Sequence, residues 1–194
     1  GLGDVYKRQE LVGPRENNHT SSIRPTSVML KRRLFDSIQD FHGIEFIDLC
    51  SGTGSIGFEA LSRGAEKVIC VDQSPMAIKL LKKNQKSLVR YGLDTQRISI
   101  QKQDSLKWLT TQFKPDPKLE TIVFYDPPYE DIKGYSDIYH FMTENKHQVK
   151  LIMEACSQKT MPIKLFEEKF SGNVKTFKQG TSFFIIYDCL LYTS

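Results

Sequence analysis

Three short stretches of this 194-residue chain carry residue types that could act together as a site. The first is Asp48-Leu-Cys-Ser-Gly52-Thr-Gly54-Ser-Ile-Gly57, a glycine cluster entered through an acid. The second is Asp72, at the end of an apolar run, and the third is Asp126-Pro127-Pro128-Tyr129. Gly52, Gly54 and Gly57 alone satisfy the dinucleotide fingerprint, and an acid at Asp72 suits ribose hydroxyls, so an NAD-linked oxidoreductase is one reading. A dinucleotide, however, sets a pyrophosphate dianion at this turn, where helix amides welcome it. Asp48 would hold a carboxylate against that anion. A cofactor bearing an ammonium and a sulfonium in place of phosphates suits Asp48 better, and S-adenosylmethionine (SAM) is such a cofactor. Asp72 serves either.

The Asp-Pro-Pro-Tyr corner follows Ile122-Val-Phe-Tyr125 directly. Two successive prolines lock the backbone and carry no N–H, so the prolines' backbone and the Asp126 carboxylate present only acceptors. Such a corner suits a planar amine: Asp126 and the Pro127 carbonyl take its two hydrogens while Tyr129 stacks on the ring. The lone pair then points at the methyl group, which is positioning rather than acid–base chemistry. A plain proline turn with a surface tyrosine, or a WW-domain ligand in a disordered segment, is the competing reading. The buried strand immediately ahead speaks against it.

The pattern of elements brings these stretches to one edge. Leu30, Leu34, Ile38 and Phe41 recur at helical spacing after a candidate cap at Ser27. Strands are predicted at Glu45–Cys50, Lys67–Asp72, Ile98–Lys102, Ile122–Tyr125, Ile163–Phe170 and Thr181–Tyr187. Helices are predicted at Ile56–Arg63, from Ser74-Pro75 to Gly92, near Ser105–Phe113, and over about Ser136–Ser157. Strands alternating with helices argue for one α/β domain, a parallel sheet covered on both faces, closed by an antiparallel pair. Ligands of such sheets gather at the carboxyl ends of strands, where Asp48, Asp72 and Asp126 would all lie.

Composition narrows the classes further. With 39% hydrophobic and 26% charged residues the chain is globular in type, and no apolar run reaches membrane-spanning length. Cys50, Cys70, Cys156 and Cys189 form no CxxC pair, and His19, His42, His140 and His147 are scattered, so neither a disulfide frame nor a metal site is expected. The opening Gly1–Gln9 and closing Cys189–Ser194 resemble read-through of adapter sequence and are set apart from the fold. That leaves an N-terminal arm and helix over residues 10–43 and a catalytic domain over residues 44–188. Without Asp4, Lys7 and Arg8 the formal charge falls from +4 to +3.

Several motifs together carry a family resemblance. Arg24-Pro25-Thr26, Leu34-Phe35, Asp48-Leu-Cys-Ser-Gly-Thr-Gly and Phe58-Glu-Ala-Leu-Ser-Arg-Gly-Ala65 resemble the RsmD family, with Asn84, Gly180-Thr181 and the Asp-Pro-Pro-Tyr corner in accord. The resemblance covers about residues 24–188. It implies a Rossmann-like class I SAM-dependent methyltransferase fold, with a doubly wound, mostly parallel seven-stranded sheet. It implies methyl transfer from SAM to a guanine N2 in small-subunit (16S-type) ribosomal RNA. By this resemblance Asp48, Gly52 and Gly54 surround the methionine part, Asp72 the ribose, and Asp104-Ser105 the adenine edge. Asp126, Pro127 and Tyr129 handle the base. Where the family usually shows Asp-Arg-Val-Arg-Glu, this chain has Val28-Met-Leu-Lys-Arg32.

Ribosomal RNA, free or in the subunit particle, is therefore the expected partner, and monomer and bacterial cytoplasm are the expected state and place. Arg24, Lys31, Arg32 and Arg33 contribute +4 in a segment with no acid between Asn17 and Phe35, an expected phosphate grip. Lys79, Lys82, Lys83, Lys86 and Arg90 are expected on a solvated helix face, Trp108 in the core, and Glu130–Tyr135 as a lid over the base. An adenine-N6 or other RNA amino methyltransferase, and an inactive RNA-binding factor, are the remaining alternatives beside the oxidoreductase.

Overall fold

Local chemistry sets the element boundaries in a computed structural model that describes residues 28–128, 130–144, 149–157, 162–169 and 174–189. Helix α1 spans Val28–Ile38, and its expected cap Ser27 and the arm before it lie outside the described residues. Strand β1, Ile44–Leu49, is buried at every position and leads through the glycine cluster into α2, Ser55–Ser62. Strand β2 is Lys67–Asp72. Helix α3, Pro75–Leu88, begins with proline in its first turn and with the Ser74 hydroxyl accepting the Ala77 N–H. Gly92, at φ 74°, closes the 3-10 turn that follows. Strand β3, Ile98–Lys102, precedes α4, Ser105–Gln112, whose cap Asp104 accepts the Lys107 N–H. Strand β4 is Glu120–Tyr125, and α5, Ile132–Glu144, follows the proline corner.

The carboxyl-terminal third departs from the expected elements. The predicted helix over Ser136–Ser157 is two elements: α5 ends at Glu144, and Val149–Cys156 is strand β5. Leu, Met, Glu and Ala favour helix locally, but between β4 and β7 this segment gains ladder bonds on both sides, which override propensity. The predicted strand Ile163–Phe170 is instead helix α6, Ile163–Lys169. It starts after Pro162, whose carbonyl accepts the Phe166 N–H at 3.1 Å. Strand β6, Val174–Gln179, and β7, Ser182–Asp188, form the antiparallel pair.

The seven strands are ordered β3-β2-β1-β4-β5-β7-β6, with β7 antiparallel to both neighbours and the others parallel. From β1 the chain winds outward to β3, then returns to β4 on the other side of β1. The crevice at the carboxyl ends of β1 and β4 is thus the switch point where such sheets bind ligands. Two apolar cores sandwich the sheet. One holds Leu30, Leu34, Phe46, Phe58, Leu81, Phe124 and Phe184 beneath α1, α2 and α3. The other holds Ile47, Trp108, Val123, Tyr135, Met153 and Phe166 beneath α4, α5 and α6. Trp108 is a core residue, as expected.

Candidate active site

The glycine loop is built by backbone bonds that turn its amides inward. Gly54 opens α2 at φ 84°, a left-handed conformation natural to glycine, and offers no side-chain cap. The cap comes from the preceding strand: Asp48 Oδ2 accepts the Gly57 N–H at 3.1 Å. Gly57 permits this approach, because a Cβ there would meet Cys70 Sγ and Val68 Cγ1 at 3.0 Å. The Gly54 N–H donates to the Ser51 carbonyl at 2.8 Å, and the Gly52 N–H to Asp72 Oδ2 at 2.9 Å. Asn84 Nδ2, on α3, donates to the Thr53 carbonyl at 3.0 Å. All three fingerprint glycines therefore spend their amides within the protein, where a pyrophosphate would need them free.

Burial pushes the Asp48 carboxyl up to about 7, opposed by the Gly57 N–H and by the charge of Lys31. Its side chain is only 2% exposed, so Asp48 shapes the loop from beneath. Asp72 is half-buried and also takes the Ser74 N–H on Oδ1 at 2.8 Å. Asp104 is exposed at the head of α4, while Ser105 is buried with its hydroxyl 3.4 Å from Cys50 Sγ. Cys50 itself has φ 62°, a backbone conformation costly for a residue with a Cβ, right where the loop leaves β1.

At the end of β4, Asp126 is half-buried, Pro127 buried and Pro128 exposed. The Pro128 carbonyl accepts the Asp131 N–H at 2.9 Å, and the Tyr125 hydroxyl donates to Asp131 Oδ2 at 3.4 Å. Tyr129 lies outside the described residues. The expected lid is corrected by the structure: from Ile132 this segment is the first turn of α5. Tyr135 is fully buried there, stacked edge-on to Tyr125 at 5.6 Å, and its hydroxyl donates to the Glu154 carbonyl at 2.6 Å. A Cβ on Gly134 would overlap Asp131 and Tyr125, so the turn is packed in place rather than hinged.

Of the four expected RNA contacts, three lie among the described residues, and these three do not share one surface. Arg24 lies outside the described residues. Arg32 is exposed and pairs with Asp36 at 3.5 Å, and exposed Arg33 donates to the Lys178 carbonyl of β6 at 2.7 Å. Lys31 turns inward instead, because it neighbours Leu30 and precedes Leu34 by nearly one turn on the buried face. Lys79, Lys82, Lys83, Lys86 and Arg90 are exposed on α3 and the turn after it. Among the described residues no group of three His, Cys, Asp or Glu could hold a metal ion, and no helix is long and apolar enough to cross a membrane.

A family model described as conserved hypothetical protein 95, the RsmD family, matches residues 5–188. The chain belongs to the RsmD family. It is 34% identical over 112 residues to the ribosomal RNA small subunit methyltransferase D of Haemophilus influenzae, covering 57% of this chain and 55% of that protein. Among solved structures, a conserved hypothetical protein of Streptococcus pyogenes aligns with TM-score 0.64 at 21% identity, over 81% of this chain and 94% of the other. A precorrin-6y C5,15-methyltransferase of Geobacter metallireducens aligns at TM-score 0.59 and 13% identity, over 91% and 96% of the two chains. The fold is that of the class I methyltransferases. The chain spans less than two thirds of the length of the first curated relatives it matches. Within this RsmD-family site, the loop-holding role of Asn84 is not assigned by the sequence, which marks Asn84 only as a residue in accord with the family and a lone polar position on the apolar stripe of α3.

Proposed function

We propose that this chain is a SAM-dependent methyltransferase acting on the exocyclic N2 of a guanine in small-subunit ribosomal RNA. The observation that carries the reading is the inward-turned glycine loop beside the Asp126-Pro127 corner. A site with spent amides and carboxylates at four strand ends favours a cationic cofactor over a dianionic one. The donor set fits SAM: Asp72 would hold the ribose, Asp104 and the Ser105 backbone the adenine edge, and the Gly52–Gly54 loop the methionine part. SAM supplies an electrophilic methyl on its sulfonium. Asp126 and the Pro127 carbonyl would accept the hydrogens of the target amine and fix its lone pair in line, a gain in orientation rather than in basicity. Tyr129 would stack on a guanine presented unpaired.

The name of the Haemophilus influenzae relative supports ribosomal RNA as the substrate. Tritiated-methyl transfer from SAM to small subunits and to free 16S RNA, followed by nucleoside mapping, tests this. N2-methylguanine is the expected product. Labelled N6-methyladenine would overturn the base assignment, and tight NAD binding without SAM binding would overturn the cofactor. Asp126→Ala is expected to abolish transfer while RNA affinity stays nearly unchanged.

A further inference from the structure

Four carboxylates and one ammonium gather under the carboxyl edge of the sheet. Asp48 ends β1 on the face that carries Ile44 and Phe46, and Asp126 follows β4 on the face that carries Ile122 and Phe124. Glu154, 1% exposed, lies on β5 one step past Met153, the register partner of Tyr125, and so beside Asp126. Glu59 comes from α2, giving Oε1 to Arg63 Nε at 2.6 Å, while its buried Oε2 has no hydrogen-bond partner among the described residues. Into this group α1 delivers Lys31, whose charge interacts with Glu59, Asp48, Glu154 and Asp126. Against the same helix β6 and β7 present apolar Phe177, Phe184 and Ile186. Arg63 reaches α1 as well, lying over Phe35 at 5.0 Å and 3.8 Å from Asp36.

We propose that Lys31 is a positioning residue for methyl transfer: its ammonium, carried by α1 among Asp48, Glu59, Glu154 and Asp126, holds the base-binding Asp126 and the loop-capping Asp48 in place. The proposal rests on the methyltransferase reading above. It takes Lys31 out of the expected phosphate grip and makes the docking of α1 a condition for a competent site. Two excess carboxylates remain after Lys31 and Arg63 are counted, which leaves the edge attractive to a cationic cofactor. Burial pulls the Lys31 ammonium down to about 8, against the four carboxylates that hold it up. The cation is thus present below that pH and lost above it, whereas a guanidinium stays charged throughout.

Steady-state kinetics of the full chain on its RNA substrate test this. Lys31→Met is expected to lower kcat on the order of a hundredfold, as misplacement of a reacting group does. The KM for SAM moves much less, because the cofactor contacts remain. Lys31→Arg is expected to restore most of kcat and to carry the basic limb of the kcat profile from near pH 8 to higher pH. A basic limb that stays fixed in Lys31→Arg overturns the proposal. The double variant Lys31→Met/Glu59→Gln removes one charge of each sign and guards against simple unfolding; it is expected to remain impaired, and full recovery overturns the proposal. Lys31→Met should leave the salt slope of RNA affinity unchanged; a loss of about one unit would make Lys31 a phosphate contact and overturn it. A parent without methyl transfer overturns the activity reading alone. Carbon NMR titration of Asp48 in parent and Lys31→Met then decides the positioning: an upward shift supports it, and an unmoved carboxyl overturns it.

Discussion

Asn84 Nδ2 donates to the Thr53 carbonyl at 3.0 Å, tying the middle of α3 to the crest of the glycine loop thirty-one residues earlier. Asn84 is 1% exposed, while Thr53 at the other end of the bond is half-buried. The bond fixes the loop from the side opposite Asp48, which holds the first turn of α2 from below. The loop is thus clamped by two side chains of different elements. Replacing Asn84 with Ala removes this bond to a half-buried residue, at a cost of about 1 kcal/mol. Urea unfolding should show that loss, and calorimetry should show weakened SAM binding. Unchanged values in both would refute the clamp.

The raised Asp48 carboxyl makes stability depend on pH in a defined direction. Its folded value of about 7 lies above the ordinary aspartate value. Between roughly pH 4 and pH 7 the folded state therefore holds a proton that the unfolded chain has released. The contribution of this group to stability falls as pH rises through that window and is level above it. Asp48→Asn keeps an acceptor for Gly57 and removes the slope. Urea midpoints of parent and variant, compared from pH 4.5 to 8, should converge toward acid; parallel curves would refute the assignment.

Gly57→Ala tests the packing beneath the loop. The added methyl meets Cys70 Sγ and Val68 Cγ1 at 3.0 Å, both in the core under α2. Overpacking of this kind costs about 1–3 kcal/mol. Thermal unfolding should register it, together with loss of SAM affinity, because α2 must ride outward. An increase in stability would show that the core yields there.

Arg32 and Arg33 separate RNA contact from helix docking. Among the described residues Arg32 has only an exposed partner, Asp36, whereas Arg33 is bound to the backbone of β6. Arg32→Ala is expected to lower the salt slope of RNA affinity by about one unit. Arg33→Ala is expected to cost about 1 kcal/mol of stability as well. Filter binding across a salt series and urea unfolding check the pair.

Most of the central fold was legible because its signals are local. Ser74-Pro75 announces α3, the glycine cluster ends β1, and Asp48, Asp72 and Asp126 close apolar runs at one edge. The carboxyl-terminal third hid its order. No glycine or proline separates α5 from β5, and Lys150 and Glu154 break the apolar run that would mark a buried strand. Only pairing with β4 and β7 makes that segment extended. The inward turn of Lys31 was illegible for a related reason. A basic run reads as a surface until the helix phase is fixed by what Leu30 and Leu34 bury against.

The antiparallel β7 has a consequence for the order in which the molecule is made. It lies between β5 and β6, and α1 packs on β6 and β7 as well as on β1, where Phe35 stacks on Phe46 at 6.5 Å. The first described helix thus lacks part of its packing surface, during synthesis, until β6 and β7 have formed. Contacts of such sequence separation close late and slowly. Until they do, Asp48, Glu59, Asp126 and Glu154 share the sheet edge without the lysine that α1 brings. A nascent chain holding the glycine loop, Asp72 and the proline corner would still carry an unfinished electrostatic balance. Arrival of β6 and β7, not completion of the central strands, is then the moment at which α1 is fully seated.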